Sequence, residues 1–156
     1  MNRKITAFAQ DTQGDWFARL SCGHTQHVRH QPPFTNYPWV ITEAGRRSKL
    51  GEPLDCPLCE RLEFPEHFVA FHQTPVFTEN SVPAGLQKDH ATKEGTWAKI
   101  IVEQGTLRYH LDGLNQTFDL LPGDIGIVVP EVLHHVEPLG TVRFFVEFYK
   151  APEFSR

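Results

Sequence analysis

Apolar and polar residues alternate in short runs along this chain, and the spacing of the runs tightens after Pro75. Ile5 to Ala9 and Trp16 to Leu20 flank Asp11-Thr12-Gln13-Gly14, a polar turn sequence, and together they predict a β-hairpin. Trp39-Val40-Ile41 predicts another short strand, residues 45–53 a polar loop, and Glu60 to Glu63 one helical turn. Pro65 interrupts the pattern, and residues 60–75 join the two halves, with a short extended segment over 67–71. Beyond Pro75 the apolar runs fall at 75–79, 84–90, 96–103, 105–112, 117–121, 125–129, 132–137 and 142–149. Turn signals separate several of them: Asp112-Gly113, Pro122-Gly123-Asp124 and Leu139-Gly140. Short strands at this spacing with almost no helix predict a small closed or jelly-roll barrel, with alternate residues of each strand facing inward.

The period of two then selects candidate pocket residues. Val132, His134 and Val136 share one face, and the valines mark it as the buried one. His134 therefore points in, whereas Leu133, His135 and Glu137 point out. His90 shares a face with Leu86, Lys88 and Thr92 and is a second interior candidate. Glu147 stands between Phe145 and Tyr149, where a charge needs a partner or a ligand, and Arg108 and Arg143 are alternative partners for it. Tyr109 shares a face with Leu107 and Leu111, as a pocket residue or as core. His90 and His134 on one divalent metal, with Glu147 as third ligand and Glu94 and Glu131 as rivals, form the expected pocket site.

Composition changes this picture in one place. The chain has 156 residues, is 40% hydrophobic and 22% charged, and carries a net charge of −4, so it lacks a global positive field for nucleic acid. The small basic group Arg46, Arg47 and Lys49 reads as a solvated loop. The N-terminus lacks the apolar stretch of a signal peptide, and no run approaches a membrane span, so the expected setting is cytoplasmic and reducing, with no membrane partner. Nine histidines with only three cysteines are the departure from the ordinary. Cys56-Pro-Leu-Cys59 makes a tight knuckle, and Cys22-Gly-His24 can complete four N/S ligands, with His27 or His30 as substitutes for His24. Four such ligands suit Zn²⁺ in a closed, structural site, and a metal would compensate for the small core of about 60 residues. The expected organisation is a zinc-ribbon-like module over 1–62, a connector over 63–74 and a β-barrel domain over 75–156.

His90 onward, with PGDIGIVVPEVLH, resembles the two motifs of the cupin superfamily. The fuller stretch VPAGL…H…TKEGTWAKIIVEQGTLRY…LPGDIGIVVPEVLHHVEP…VRFFVEFYKAP is more closely similar to the cupin family named for tellurite resistance protein B, over about residues 74–152. The stretch ARLSCGHTQHVRH…LDCPLC resembles a small bacterial domain of uncharacterised function that is often read as zinc-binding. The resemblance implies a cupin jelly-roll barrel, a homodimer, and a divalent metal (Zn²⁺, Fe²⁺, Mn²⁺ or Ni²⁺) in the barrel. Cupin sites take two histidines and a glutamate from the first motif and a histidine from the second. His90 matches the first and His134 the last, but Thr92 occupies the place of the second histidine and Trp97 falls near that of the glutamate. The function it implies is a metal-binding protein that acts on or sequesters a small molecule or oxyanion in tellurite-type stress resistance. The alternatives are a metal-dependent enzyme of dioxygenase or isomerase type, and a non-catalytic protein whose zinc module recruits a partner.

Overall fold

The computed structural model describes residues 1–153, which are mainly β and fall into two compact units, Met1–Pro65 and Glu66 onward.

In the first unit, β1 (Asn2–Gln10) and β2 (Trp16–Leu20) form the expected hairpin. Its turn is built by Asp11, whose carboxylate accepts from the Gln13 and Asp15 amides at 2.9 and 3.0 Å. β3 (Thr25–His27) and β4 (Pro53–Asp55) complete an antiparallel sheet in the order β3-β2-β1-β4. Trp39-Val40-Ile41, expected as a strand, is instead mostly a 3₁₀ turn over Pro38–Val40, with Pro38 at its start. α1 (Glu43–Ser48) runs into the expected polar loop over 45–53 and is capped by Thr42, whose hydroxyl accepts from the Gly45 amide at 3.0 Å. Arg46 is not solvated as predicted: its guanidinium lies 3.8 Å from the Trp16 ring centre and donates to the Val40 carbonyl. α2 (Pro57–Glu60) starts on Cys56, with Pro57 in the first turn, where its missing N–H costs no helical bond.

The second unit is a six-stranded antiparallel sheet organised by two long strands, β7 (Trp97–Leu111) and β10 (His135–Lys150). The remaining strands are β5 (Val69–Gln73), β6 (Phe77–Thr78), β8 (Gln116–Leu120) and β9 (Ile125–Val128). β5 and β6 pair with β10, and β8 and β9 pair with opposite ends of β7. The sheet is therefore a half-barrel in which each long strand does the work of two expected short ones. Part of the expected connector, 63–74, is β5 itself. The Pro122-Gly123-Asp124 turn forms as read, with Asp124 accepting from the Leu121 amide at 2.9 Å and Gly123 at φ +96°.

The continuity of β7 and β10 has a local cause. Gly105, at the start of an expected separate strand, and Gly140, read as a turn, are bulge positions at φ +77° and +78°. A Cβ on Gly105 would meet the Thr141 carbonyl oxygen at 1.9 Å, so two backbones touch there. Across the bulge the inward parity of β7 switches from Ala98, Ile100 and Val102 to Leu107, Tyr109 and Leu111, all buried. The segment expected as a strand over 84–90 is a 3₁₀ turn, Ala84–Gln87, closed by the Leu86 amide on the Pro83 carbonyl at 3.0 Å. Among the described residues no helix is long and apolar enough to cross a membrane.

Candidate functional site

The hairpin end and the α2 knuckle bring Cys22, His24, Cys56 and Cys59 together inside the first unit. His24 Nδ1 lies 3.4 Å from the Cys22 sulfur, 3.3 Å from that of Cys56 and 3.6 Å from that of Cys59, and the Cys22 and Cys56 sulfurs are 3.8 Å apart. All four residues are buried, and no disulfide joins the cysteines. His24 Nε2 sits 2.7 Å from the Glu63 carbonyl, so Nε2–H donates there and Nδ1 faces the sulfurs. Burial works against charge on His24, but its contacts with Cys56 and Cys59 overcome that and lift it to about 10. Hydrogen bonds with Cys56 and Cys59 push the Cys22 thiol up, and the contact with Cys22 leads those that pull Cys56 down. The protonation of Cys22, His24 and Cys56 is therefore linked. A metal ion would replace those protons, and a buried Cys₃His cluster with every donor atom within 4.8 Å of the others could hold one such as zinc.

In the second unit His90 and His134 converge on a cavity of about 50 Å³. Each amide donates to the other's carbonyl at 2.8 Å, an isolated antiparallel bridge that sets the two backbones side by side, and the ring centres are 5.3 Å apart. The period-two argument holds for His134, with Val132 and Val136 buried beside it, and for outward Leu133 and Glu137. For His90 the expected strand is absent, and the bridge to His134 is what turns it inward. His134 Nδ1 is 3.1 Å from the Val132 carbonyl, which assigns Nδ1 the proton and leaves Nε2 without a partner among the described residues. Burial above all, with His90 close by, lowers the His134 imidazole below its ordinary 6.5, while the Val132 bond works the other way.

Two expected pocket residues lie elsewhere. Glu147 faces away from the cavity: Phe144, Val146 and Phe148 line it, so the odd positions of β10 are outside. The Glu147 carboxylate accepts a hydrogen bond from Tyr149, whose phenol is pushed up to about 12 by burial and by that bond. Tyr109 is fully buried core, with its ring centre 5.9 Å from that of His134, and its hydroxyl donates to the Ile127 carbonyl at 2.8 Å. Thr92 lines the cavity, but its hydroxyl donates to the Thr96 carbonyl at 2.7 Å, and Trp97 is buried. No third His, Cys, Asp or Glu among the described residues completes a ligand set with His90 and His134. The donors a divalent metal needs are therefore not assembled in this pocket, and the expected metal with Glu147 as third ligand does not fit it.

A third cluster, His110, Asp112 and His135, lies on the outward face of the same sheet. The sequence placed His135 outward, but nothing in it paired His135 with His110, because that depends on the register across β7 and β10.

Comparison with known proteins follows the same division. Residues 6–63 match the family described as a protein of unknown function, DUF3565, and residues 72–146 match the TehB-like domain. The uncharacterised protein YeaR of Escherichia coli K12 is 24% identical over 102 residues, covering 59% of this chain and 86% of YeaR. A probable S-adenosyl-L-methionine-dependent methyltransferase of Haemophilus influenzae, TehB, is 32% identical over 79 residues, covering 46% of this chain but 27% of TehB. A crystal structure of an Escherichia coli K12 protein superposes with a TM-score of 0.54 at 23% identity, covering 60% of this chain and 91% of that one. The crystal structure of Haemophilus influenzae TehB gives 0.51 at 29% identity, covering 55% of this chain and 32% of that one. The chain thus joins a DUF3565-like stretch to a TehB-like domain that spans about a quarter of TehB itself.

Proposed function

We propose that this chain is a small-ligand-binding protein: a cupin-type barrel with an internal pocket, preceded by a module stapled by Zn²⁺ on Cys22, His24, Cys56 and Cys59. The observation that carries the reading is the His90–His134 bridge, which aims two imidazoles into an otherwise mostly apolar cavity. The bridge pins both backbones and the Val132 carbonyl holds the His134 ring, so less has to be ordered on binding. A cavity of about 50 Å³ takes a ligand of a few heavy atoms, which is the size of a simple oxyanion or a small alcohol. This supports a role in sequestering or acting on such a compound, in the manner of tellurite-type stress resistance. It does not support carrying over methyl transfer from TehB, since most of that protein lies outside the match.

The protonation state sets the sign of the pH dependence. His134 is held below its ordinary 6.5, so near neutrality Nε2 offers a lone pair and accepts a hydrogen bond from the ligand. A bare oxyanion brings no proton, so it binds only with proton uptake by itself or by the ring. Its affinity then rises as pH falls, by up to about tenfold per unit for one proton. A neutral alcohol shows no such rise. Calorimetric titration of the full chain with sodium tellurite and with small alcohols, at about pH 6 and about pH 8, tests this. Binding that strengthens toward acid for tellurite and disappears in His134→Ala supports the reading. Failure of both probes to bind, or binding that survives His134→Ala unchanged, overturns it.

A further inference from the structure

We infer that the outward face of β7 and β10 carries a surface site for a divalent transition-metal ion, held by His110, Asp112 and His135. This site is separate from the Cys₃His cluster and does not rest on the pocket reading. His110 and His135 are direct register partners on the two long strands, so their Cα positions are set by the most extensively paired part of the sheet. Their rings stack with centres 4.2 Å apart and 10° between planes. One ligand atom from each of the three residues lies within 4.8 Å of the others.

The surroundings also favour a cation. Asp112 is 2.6 Å from His135 Nδ1, Glu137 is 3.0 Å from His110 Nε2, and Asp89 stands 3.9 Å from His135 Nδ1. Three carboxylates therefore face two imidazoles. The histidine side chains are 23% and 26% exposed, so water and ions reach them. Binding requires each ring to turn until a nitrogen lone pair, rather than its face, meets the ion, and partial exposure permits that rotation. Two imidazoles and a carboxylate suit Ni²⁺, Cu²⁺ or Zn²⁺ over the oxygen-seeking Mg²⁺ and Ca²⁺. Glu137 is placed either to orient His110 or to add a further oxygen.

The test is calorimetric titration of the full chain, first loaded with zinc and dialysed, with Ni²⁺ as probe. Wild type should take up one Ni²⁺ per chain with a Kd of about micromolar order. His110→Ala and His135→Ala should each weaken that uptake at least about tenfold. His134→Ala, whose ring lies on the opposite face, should leave it unchanged. If a histidine variant shows a disturbed circular dichroism spectrum, Asp112→Asn in the exposed turn is read instead, and it too should weaken Ni²⁺ binding several-fold. Zinc-loaded wild type that binds no Ni²⁺ below about millimolar overturns the proposal. So does an undisturbed variant that binds as wild type does, or loss of Ni²⁺ uptake in His134→Ala alone.

Discussion

Tyr109 shows how one residue can satisfy a sequence expectation and still have a different role. It stands next to His134, as a pocket residue should, yet its hydroxyl is committed to the Ile127 carbonyl and its ring is sealed. Burial pushes its phenol well above the ordinary value, which removes it from proton transfer near neutrality. The bond instead ties β7 to β9. Tyr109→Phe should therefore cost about 1–2 kcal/mol, the loss of one largely buried hydrogen bond, and leave ligand affinity unchanged. Urea unfolding alongside the binding titration checks both halves. A variant of wild-type stability with weakened binding would return Tyr109 to the site. Glu147 makes the complementary point. A carboxylate among aromatics does need a partner, but Tyr149 on its own strand supplies it, so no ligand or metal is required.

Among the elements, the bent strands decide the most. Gly105 and Gly140 both sit at positive φ, but only Gly105 has another backbone in the space a Cβ would fill. Gly140→Ala should cost about 1 kcal/mol, the backbone penalty alone. Gly105→Ala adds the collision with Thr141 and should cost about 3 kcal/mol or more. Chemical denaturation of the two variants, followed through the second unit's transition, measures the difference. Equal costs would mean that the bulge relaxes and does not fix the parity of β7. That parity matters for function. It keeps Ile100 and Tyr109 on one face of a strand that runs from the cavity to the core, and it puts His110 opposite His135 outside.

At the scale of the whole molecule, two units with separate cores stand in one chain, and their stabilities should respond to different reagents. Besides its three cysteines, the first unit buries few apolar side chains, Ile5, Ala18, Leu20, Val28 and Val40. Such a core depends on whatever ion the cluster holds. Calorimetry of the full chain should show two transitions, and a strong zinc chelator should lower the first by about 10 °C or more while leaving the second in place. A chelator-insensitive first transition would mean that hydrogen-bonded thiols suffice. The zinc-type donor set was legible in sequence because its residues lie at short spacings, Cys22 with His24 and Cys56 with Cys59, and local turns bring such pairs together. The β character, the first hairpin, the PGD turn and the inward face of His134 were legible for the same reason, since period and turn chemistry are local. The tertiary structure alone decided what depends on partners distant in sequence. It decided that two glycines bend strands instead of ending them, and that His90 faces inward through a bridge to His134. It also placed Glu147 outside and His110 against His135. Each of these is set by register between strands, a quantity that no single stretch of residues contains.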